Sequence, residues 1–210
     1  MNFRQRKESL INHLIAGGVL KTPRIIEAFK KIPRHLFVRK NYLGHAYDDI
    51  PLPTHQGQTI SQPYTIAVMT EALEPRIGEK ILEVGAGSGY QAALLGYCVG
   101  SKGRVITIEL KSKLVEFSRK NIKKTKLKNV RVILGDGKEG YVKESPYDKC
   151  MITAACREIP KSVIEQVKIG GRIVAPINDF FNQKMMVIDK LSKKKLKKED
   201  LGSFIFVPLR

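Results

Sequence analysis

The sequence predicts an α/β protein with a Rossmann-like, doubly wound and mostly parallel sheet of seven strands that carries helices on both faces. From residue 80 onward, segments rich in Ile, Val and Leu alternate with amphipathic segments of helical length. The first of these strands, 80–84, leads through a glycine-rich turn into a helix-forming segment that starts at Tyr90. Strands that alternate with helices form parallel sheets covered on both faces, and such sheets bind ligands beyond the carboxyl ends of their strands.

Two further parts complete the predicted architecture. The C-terminal residues predict an antiparallel hairpin, with strands at 184–190 and 203–208 that are joined by a lysine-rich loop. Residues 1–75 predict a helical and loop extension that packs on an α/β core at 76–210. Because 210 residues suffice for one domain with a full hydrophobic core, we expect the chain to form a single domain.

The extension contains three predicted helices and one long loop. Thr22 followed by Pro23 is typical of an N-cap and a first helical position, and Ser61 or Gln62 falls at the N-cap of the third helix. Residues 42–58 are rich in Pro, Gly and Asp and have no period, so they predict a structured loop of the kind that often carries function. The predicted helices span residues 2–18, 22–32 and 64–73.

The core contains the remaining predicted elements. Its strands are expected at 80–84, 104–110, 130–134, 147–153 and, after a turn at Gly170-Gly171, up to Pro176. Its helices are expected at 90–95, 112–124 and 160–167. In the helix at 112–124 the side chains expected to face inward are Leu114, Val115, Phe117, Ser118 and Ile122.

The composition excludes several classes of protein. A hydrophobic fraction of 42% and a charged fraction of 28% are those of a soluble globular protein. No apolar run approaches the roughly 20 residues of a membrane span, and the short apolar stretch near the N-terminus predicts an amphipathic helix instead of a signal peptide. The four histidines lack metal-ligand spacing and the three cysteines form no C-x-x-C, so we expect no metal and a reducing compartment, the cytoplasm.

The net charge of +18 allows two interpretations. One is a nucleic-acid or other polyanionic partner. The other is a solvated lysine-rich surface, which fits the spread of Lys and Arg along the chain and the scarcity of aromatic residues among them. We expect no membrane partner and, despite the charge, no nucleic-acid substrate.

The turn after the first core strand is the first candidate for a ligand site. Gly85, Gly87 and Gly89 permit a tight backbone and the close approach of a ligand, and the helix that follows offers free N–H groups. The spacing differs from the dinucleotide pattern G-x-G-x-x-G, and no Gly-Lys-Ser/Thr follows as in a P-loop. Taken alone, the turn is also compatible with a strand-to-helix connection that binds nothing.

Two further features fall at the carboxyl ends of the next two strands. Glu109 ends the second strand, where a carboxylate can accept charge-assisted hydrogen bonds from ribose hydroxyls. Asp136 ends the third strand, where it can bind the exocyclic amino group of adenine, and Gly137 allows the backbone to approach the ring. Since the glycine turn contains no Lys or Arg, the three features together predict an adenosine site without phosphate chemistry.

This pattern resembles the class I S-adenosylmethionine-dependent methyltransferases. Residues 153–156 (TAAC) stand where enzymes that methylate amino groups usually carry Asn/Asp-Pro-Pro-aromatic, which disfavours methylation of nucleobase amines. Cys156 could indicate a nucleophile of a C5-type RNA methyltransferase, but the Pro-Cys context is absent and a buried structural cysteine is the alternative.

Upstream segments make the resemblance specific. The chain resembles the protein-L-isoaspartate (D-aspartate) O-methyltransferase family over nearly its whole length. The segments that carry this resemblance are 34–38 (RHLFV), 46–53 (AYDDIPLP), 56–63 (QGQTISQP), 83–93 (EVGAGSGYQAA), 133–137 (ILGDG) and 206–209 (FVPL).

The resemblance implies a repair enzyme. It implies transfer of a methyl group from S-adenosyl-L-methionine to the free α-carboxylate of L-isoaspartyl and also D-aspartyl residues in damaged proteins or peptides, with S-adenosyl-L-homocysteine as product. The ester would close to a succinimide, whose hydrolysis restores some normal Asp. Ser61 aligns with the family's active-site serine, Gln58, Thr59 and Ile60 align with its cofactor and substrate contacts, and Ser88 aligns with a cofactor contact.

The methylation of a carboxylate does not require Ser61 to act as a nucleophile or a base. A carboxylate is already ionised at neutral pH, so its methylation needs no strong general base. We expect the Ser61 hydroxyl to orient the substrate carboxylate by hydrogen bonding, with a plain helix cap as the alternative. We expect a monomer. The two alternative functions are an S-adenosylmethionine-dependent RNA methyltransferase and a cofactor-binding protein without activity.

Overall fold

The computed structural model describes residues 2–179 and 182–209, and all statements about structure refer to these residues. Its helices are α1 (Phe3–Ala16), α2 (Pro23–Lys31), α3 (Pro63–Leu73), α4 (Tyr90–Val99), α5 (Ser112–Lys124) and α6 (Lys161–Gln166). Its strands are β1 (Leu52–Pro53), β2 (Thr59–Ile60), β3 (Lys80–Val84), β4 (Arg104–Glu109), β5 (Val130–Leu134), β6 (Tyr147–Ile152), β7 (Val167–Asn178), β8 (Gln183–Lys190) and β9 (Leu196–Ser203). No described helix combines the length and the apolar character that crossing a membrane requires.

Strands β3 to β9 form one seven-stranded sheet in the order β5-β4-β3-β6-β7-β8-β9. The five strands from β5 to β7 run parallel, whereas β7 pairs with β8 and β8 with β9 in antiparallel fashion. This confirms the predicted fold class. The chain order reverses at β3, which has β4 on one side and β6 on the other, and such a switch point opens a crevice beyond the carboxyl ends of the strands.

The two faces of the sheet bury two separate apolar clusters, because successive side chains of a strand point to opposite faces. On β3, Ile81 belongs to the cluster that also contains side chains of α1 to α5, whereas Leu82 and Val84 belong to the cluster on the side of α6. The N-terminal helices therefore share a core with α4 and one face of the sheet. This packing places the loop between α2 and α3 at the edge of the crevice.

The C-terminal strands pair in antiparallel fashion, as predicted, but the second strand is not the predicted segment 203–208. The strand that pairs with β8 is β9, which includes part of the lysine-rich stretch that was expected to be a loop. Residues 204–209 leave the sheet, and Ala155 N–H donates to Val207 O and Leu209 N–H to Ala155 O, at 2.8 Å in both cases. The apolar alternation of this segment reflects packing over the crevice instead of membership in the sheet.

Two smaller expectations need correction, one on Gly170 and Gly171 and one on Phe117, and the predicted structured loop at 42–58 can be described in more detail. Gly170 and Gly171 lie inside the twelve-residue strand β7, not in a turn before it. The loop at 42–58 contains a 3₁₀ turn (Lys40–His45) and the short ladder of β1 with β2. Phe117 is only half-buried, and its ring packs edge-on against His55 with 4.7 Å between the ring centroids. These contacts tie α5 to the loop that precedes β2.

Candidate active site

One cavity lies at the switch point of the sheet, and most of the predicted site residues line it. It is bordered by the glycine turn after β3, the ends of β4 and β6, the segment that contains β2, and the C-terminal segment. The predicted site residues that line it are Gln58, Thr59, Ile60, Ser61, Gly85, Gly87, Ser88, Glu109 and Gly137. Gly89 and Asp136 do not belong to its lining.

The shape of the glycine turn depends on residues without side chains. Gly85, Gly87 and Gly89 have φ angles of +99°, +53° and +86°, which other L-residues rarely adopt. A Cβ atom on Gly85 would lie 2.4 Å from Thr153 Oγ1, whose hydroxyl donates a 2.7 Å hydrogen bond to Gly85 O. Gly89 is the N-cap of α4 and faces Ile122 instead of the cavity.

Glu109 holds the glycine turn from the neighbouring strand. Its side chain is buried, with Oε2 accepting a 2.9 Å hydrogen bond from Gly87 N–H and Oε1 accepting a 3.1 Å bond from Lys111 N–H. A carboxylate oxygen can accept more than one hydrogen bond, so both oxygens retain capacity for hydroxyl donors of a ligand. Glu109 is therefore fixed in orientation and still able to accept.

The end of β5 forms another part of the cavity wall. Gly137 lines the cavity, and a Cβ atom on it would lie 2.3 Å from Val84 Cγ1, so this approach of the two strand ends requires glycine. The Asp136 carboxylate lies outside the lining, with its side chain 38% exposed, and Oδ1 accepts a 2.8 Å hydrogen bond from Lys138 N–H. Contact of Asp136 with an adenine ring remains a prediction.

Ser61 lies between β2 and α3 and does not cap the helix. Gln62 occupies the N-cap position of α3, but its side chain makes no capping hydrogen bond. Asp49 takes over this role from the preceding loop, since its Oδ1 accepts a 2.8 Å hydrogen bond from Tyr64 N–H. The interpretation of Ser61 as a helix cap is therefore wrong. Thr22 and Pro23 do occupy the predicted N-cap and first position of α2, but the Thr22 hydroxyl donates to Glu71 and the side chain makes no capping hydrogen bond.

A second cavity adjoins the first, and Ser61 lies at their junction. Both cavities are lined by Thr59, Ser61, Thr153 and Val207. The second cavity extends toward the C-terminal segment, where the rings of Tyr64 and Phe204 stack with 6.5 Å between their centroids. Its remaining lining comes from Pro51, Gln62, Thr65, Leu201, Ser203, Ile205 and Phe206. The Ser61 hydroxyl makes no hydrogen bond within the described part of the chain, so it is available to a ligand.

Several lining residues were missed by the sequence reasoning. Thr153 follows β6, and a polar residue at a strand end was the clue that could have identified it. Lys111 lines the cavity beside Glu109, and its Nζ donates a 2.8 Å hydrogen bond to Gln56 O. Val207 to Leu209 were missed because their alternation was interpreted as a strand of the sheet.

Glu83 is an ionisable group on β3, two residues before Gly85. Its side chain is fully buried on β3, and neither carboxylate oxygen has a hydrogen-bond partner among the described residues. Burial raises the pKa of Glu83 to about 8, so the group is mostly neutral at neutral pH. Within the described residues no group of three or more His, Cys, Asp or Glu side chains could hold a metal ion.

The fold and the site together define a class of protein. A glycine turn after the first core strand, a buried carboxylate at the end of the next, and a glycine just after the third, all on one crevice of a doubly wound sheet, are features of a class I S-adenosylmethionine-dependent methyltransferase. The sequence profile of the family described as protein-L-isoaspartate(D-aspartate) O-methyltransferase (PCMT) matches residues 5–210. The chain belongs to this family.

Individual relatives agree with the family assignment. The chain is 44% identical to a protein-L-isoaspartate O-methyltransferase of Methanopyrus kandleri, over 99% of this chain and 92% of the relative. It is 45% identical to protein-L-isoaspartate O-methyltransferase 2 of Archaeoglobus fulgidus, over 100% and 95% of the two chains.

Solved structures agree as well. The fold matches a protein-L-isoaspartate O-methyltransferase with a TM-score of 0.89 and 32% identity, over 96% of this chain and 65% of that one. It also matches a putative Plasmodium falciparum relative, solved with S-adenosyl-L-homocysteine, with a TM-score of 0.88 and 23% identity, over 100% and 99% of the chains.

Proposed function

We propose that this chain transfers the methyl group of S-adenosyl-L-methionine to the free α-carboxylate of L-isoaspartyl residues in damaged proteins or peptides, and also to D-aspartyl residues. The observation that carries the proposal is the position of Ser61, where a cavity that contains the Glu109 carboxylate meets a second cavity that is open to a peptide. The family and its named relatives support the same acceptor and the same cofactor. They do not favour the alternative of an RNA methyltransferase.

The residues of the first cavity fit an adenosine-containing methyl donor. Glu109 would accept hydrogen bonds from the ribose hydroxyls, and Gly85 and Gly87 would leave room for the amino-acid part of the donor. Asp136 and Gly137 would bind the adenine ring. The remaining contacts are proposed for Gln58, Thr59, Ile60, Ser88 and Gly89, the last through the N-terminal end of α4. When bound, the cofactor supplies a methyl group activated on a sulfonium. The S-adenosyl-L-homocysteine bound to the Plasmodium falciparum relative supports the choice of cofactor.

The acceptor requires orientation more than activation. Carboxyl groups have pKa values of roughly 3.3–4.3, so the acceptor is an anion at neutral pH and no base has to remove a proton. The Ser61 hydroxyl would donate a hydrogen bond to one acceptor oxygen and leave the other directed at the cofactor cavity. Placement of this kind can contribute up to about 7–11 kcal/mol to the lowering of a barrier. Val207, Pro208 and Leu209 would exclude water from the junction.

The second cavity fits an extended peptide. Tyr64 and Phe204 provide a stacked aromatic wall, and Ile205, which is 96% exposed, leaves an apolar side chain at the rim. No hydrogen bond is found for the backbone N–H and C=O of Ile205 within the described residues. Backbone groups of this kind can pair with the backbone of a peptide and so accept different sequences around the damaged residue.

A methyl-transfer assay with labelled cofactor tests the proposal. We expect label on a peptide that contains one L-isoaspartyl residue, and we expect that label to be lost in mild base as an ester is. The same peptide with normal aspartate is the matched control and should stay unlabelled. Base-stable label on RNA, or measurable cofactor binding without transfer to any acceptor, would contradict the proposal and support one of the two alternatives.

Some finer features belong to the same proposal. We propose that residues 1–210 form one methyltransferase domain, with a 1–75 extension and a 76–210 core, because one apolar cluster includes side chains of both parts. We also propose a monomer in the cytoplasm that does not use nucleic acid as acceptor. The free, buried thiols of Cys98, Cys150 and Cys156 suit a reducing compartment. Sedimentation velocity and cell fractionation test these statements.

A further inference from the structure

Two side chains from the segment between α2 and α3, those of Arg34 and Asp49, hold the backbone around Ser61. Arg34 Nη1 donates a 2.8 Å hydrogen bond to Ser61 O, and Nη2 donates a 3.2 Å bond to Ile50 O. Asp49 accepts from the segment just beyond, with Oδ1 bound to Tyr64 N–H at 2.8 Å and Oδ2 bound to Gln62 Nε2 at 3.1 Å. The chain is thus fixed at residue 61 and again at 62 and 64, while the Ser61 hydroxyl stays free.

Burying the charged guanidinium of Arg34 costs folding free energy, which a purely structural role does not explain. It is 1% exposed, no carboxylate among the described residues lies within 4.0 Å of it, and its Nε has no hydrogen-bond partner. Besides two carbonyl oxygens, its charge is compensated by the ring of Tyr90, whose centroid is 5.6 Å from Cζ, and by the Asp49 carboxylate, which forms no direct ion pair with it. Burial lowers the pKa of Arg34 to about 10, so the group is still charged at neutral pH. A buried charge without an ion-pair partner destabilises a fold, and an apolar side chain of similar size would pack at lower cost.

The turn at Ser61 has little else to define it. The preceding strand β2 contains only two residues, so its ladder with β1 ends at Ile60. Gln62 does not cap α3 with its side chain, and Pro63 has no N–H to donate. Without Arg34 and Asp49, the segment between the ladder and the helix would lose all the side-chain hydrogen bonds that hold it from outside.

We propose that Arg34 and Asp49 are positioning residues, which set the Ser61 hydroxyl toward the acceptor carboxylate by fixing the backbone of residues 61–64. This inference rests on the proposed function. Neither side chain contacts the acceptor, and each acts through the segment that carries Ser61. Catalysis is sensitive to such placement, since a misplacement of about 1 Å can reduce a rate by about 10²-fold.

Steady-state kinetics on Arg34→Met, Arg34→Lys and Asp49→Asn test the inference. We expect Arg34→Met and Asp49→Asn to lower kcat with the isoaspartyl peptide by about 10²-fold, while the dissociation constant of S-adenosyl-L-homocysteine, measured by calorimetry, changes less than about 2-fold. Arg34→Lys keeps the charge and one donor and should recover part of the loss. Amide hydrogen exchange should become faster at Tyr64 in Asp49→Asn, because its N–H loses a charged acceptor.

Two matched controls separate positioning from general stability. Arg24 also donates to two backbone carbonyls, those of Tyr97 and Cys98, but it lies away from both cavities. Asp148 accepts from the backbone N–H of Lys80 in the same manner as Asp49 does from Tyr64. Arg24→Met and Asp148→Asn should lower the melting temperature and leave kcat of the folded enzyme near that of the wild type.

The outcomes distinguish the inference from the function on which it rests. If the wild type methylates the isoaspartyl peptide but Asp49→Asn and Arg34→Met keep full kcat, the positioning role is refuted. An equal loss of kcat and of S-adenosyl-L-homocysteine affinity would also refute it, because the residues would then hold the whole site. If the wild type transfers no methyl group to the peptide, the proposed function fails. The hydrogen exchange of Tyr64 then still reports whether Asp49 fixes the segment. If Arg34→Met does not fold, Asp49→Asn tests the same segment independently.

Discussion

Replacing Glu109 by glutamine changes one oxygen of a buried carboxylate into an amide donor and keeps the size of the side chain. In the wild type both oxygens accept from backbone N–H groups, those of Gly87 and Lys111. Glutamine can satisfy one of them, and its NH₂ group then faces the other N–H. One charge-assisted hydrogen bond is lost, so we expect the free energy of unfolding to fall by about 1.5–3 kcal/mol.

The same substitution should weaken cofactor binding by a second route. If Glu109 accepts from a ribose hydroxyl, Glu109→Gln replaces a charged acceptor by a neutral one or by a donor. A loss of about 1.5–3 kcal/mol corresponds to an increase of about 10- to 150-fold in the dissociation constant of S-adenosyl-L-homocysteine. Isothermal titration calorimetry measures this constant, and urea unfolding of the same preparations measures stability.

The two measurements discriminate between two roles of Glu109. Glu116→Gln is the matched control, because Glu116 is exposed on α5, outside the cavity, and should change neither quantity. If Glu109→Gln lowers stability but binds S-adenosyl-L-homocysteine within 2-fold of the wild type, Glu109 serves only to hold the glycine turn. In that case the assignment of a ribose contact would be refuted.

Three further predictions concern the turn, the serine and the buried carboxylate. Ser61→Ala should lower kcat by about 10- to 100-fold, the value of one hydrogen bond to a charged group, and calorimetry should show unchanged S-adenosyl-L-homocysteine affinity; full turnover would exclude the proposed role. Gly85→Ala should abolish S-adenosyl-L-homocysteine binding, because its Cβ would lie 2.4 Å from Thr153 Oγ1; Gly78→Ala, at a φ of +87° with open space around it, should lose only about 1–2 kcal/mol in urea unfolding and retain binding. Burial raises the pKa of Glu83 from 4.5 to about 8. The proton on Glu83 therefore stabilises the fold fully below pH 4.5, and this stabilisation is lost as the pH rises through about 8. The difference in unfolding free energy between Glu83→Gln and the wild type should therefore grow by a few kcal/mol over this range, and a constant difference would contradict the assignment.

The sequence was most informative where local pattern and topology agree. The bounds of β3, β5 and α5 match their predictions, because β3 and β5 are short apolar runs and α5 is an amphipathic segment, each bordered by glycine or polar residues. The grouping of Gly85, Glu109 and Gly137 was also predictable. Parallel strands bring their carboxyl ends to one edge of a sheet, so residues far apart in the chain meet there without any knowledge of side-chain contacts.

The C-terminal segment shows what local pattern cannot decide. Residues 203–208 (SFIFVP) have the β-branched and aromatic composition of a strand, whereas β9 (LKKEDLGS) does not. The structure uses β9 as the edge strand, where charged side chains discourage pairing with other molecules. The apolar segment lines the cavities instead, where its side chains can exclude water from the site.

The sequence pattern did not predict the long-range hydrogen bonds around Ser61. Asp49 caps α3 from 15 residues upstream, and Arg34 reaches Ser61 across 27 residues. No spacing rule links these pairs, because the loop between them has no regular period. Sequence reasoning could therefore name Ser61 through resemblance but could not say what holds it in place.

The hydroxyl groups at the junction of the two cavities differ in how much freedom they retain. Thr153 lines both cavities, but its single hydroxyl hydrogen is directed at the carbonyls of Gly85 and Val84, at 2.7 and 3.1 Å. Thr153 can therefore accept a hydrogen bond at the junction but cannot donate one without releasing the glycine turn. An anionic acceptor needs a donor, and the Ser61 hydroxyl has no such commitment. The same contact that makes glycine obligatory at position 85 thus leaves Ser61 better suited than Thr153 to orient the carboxylate.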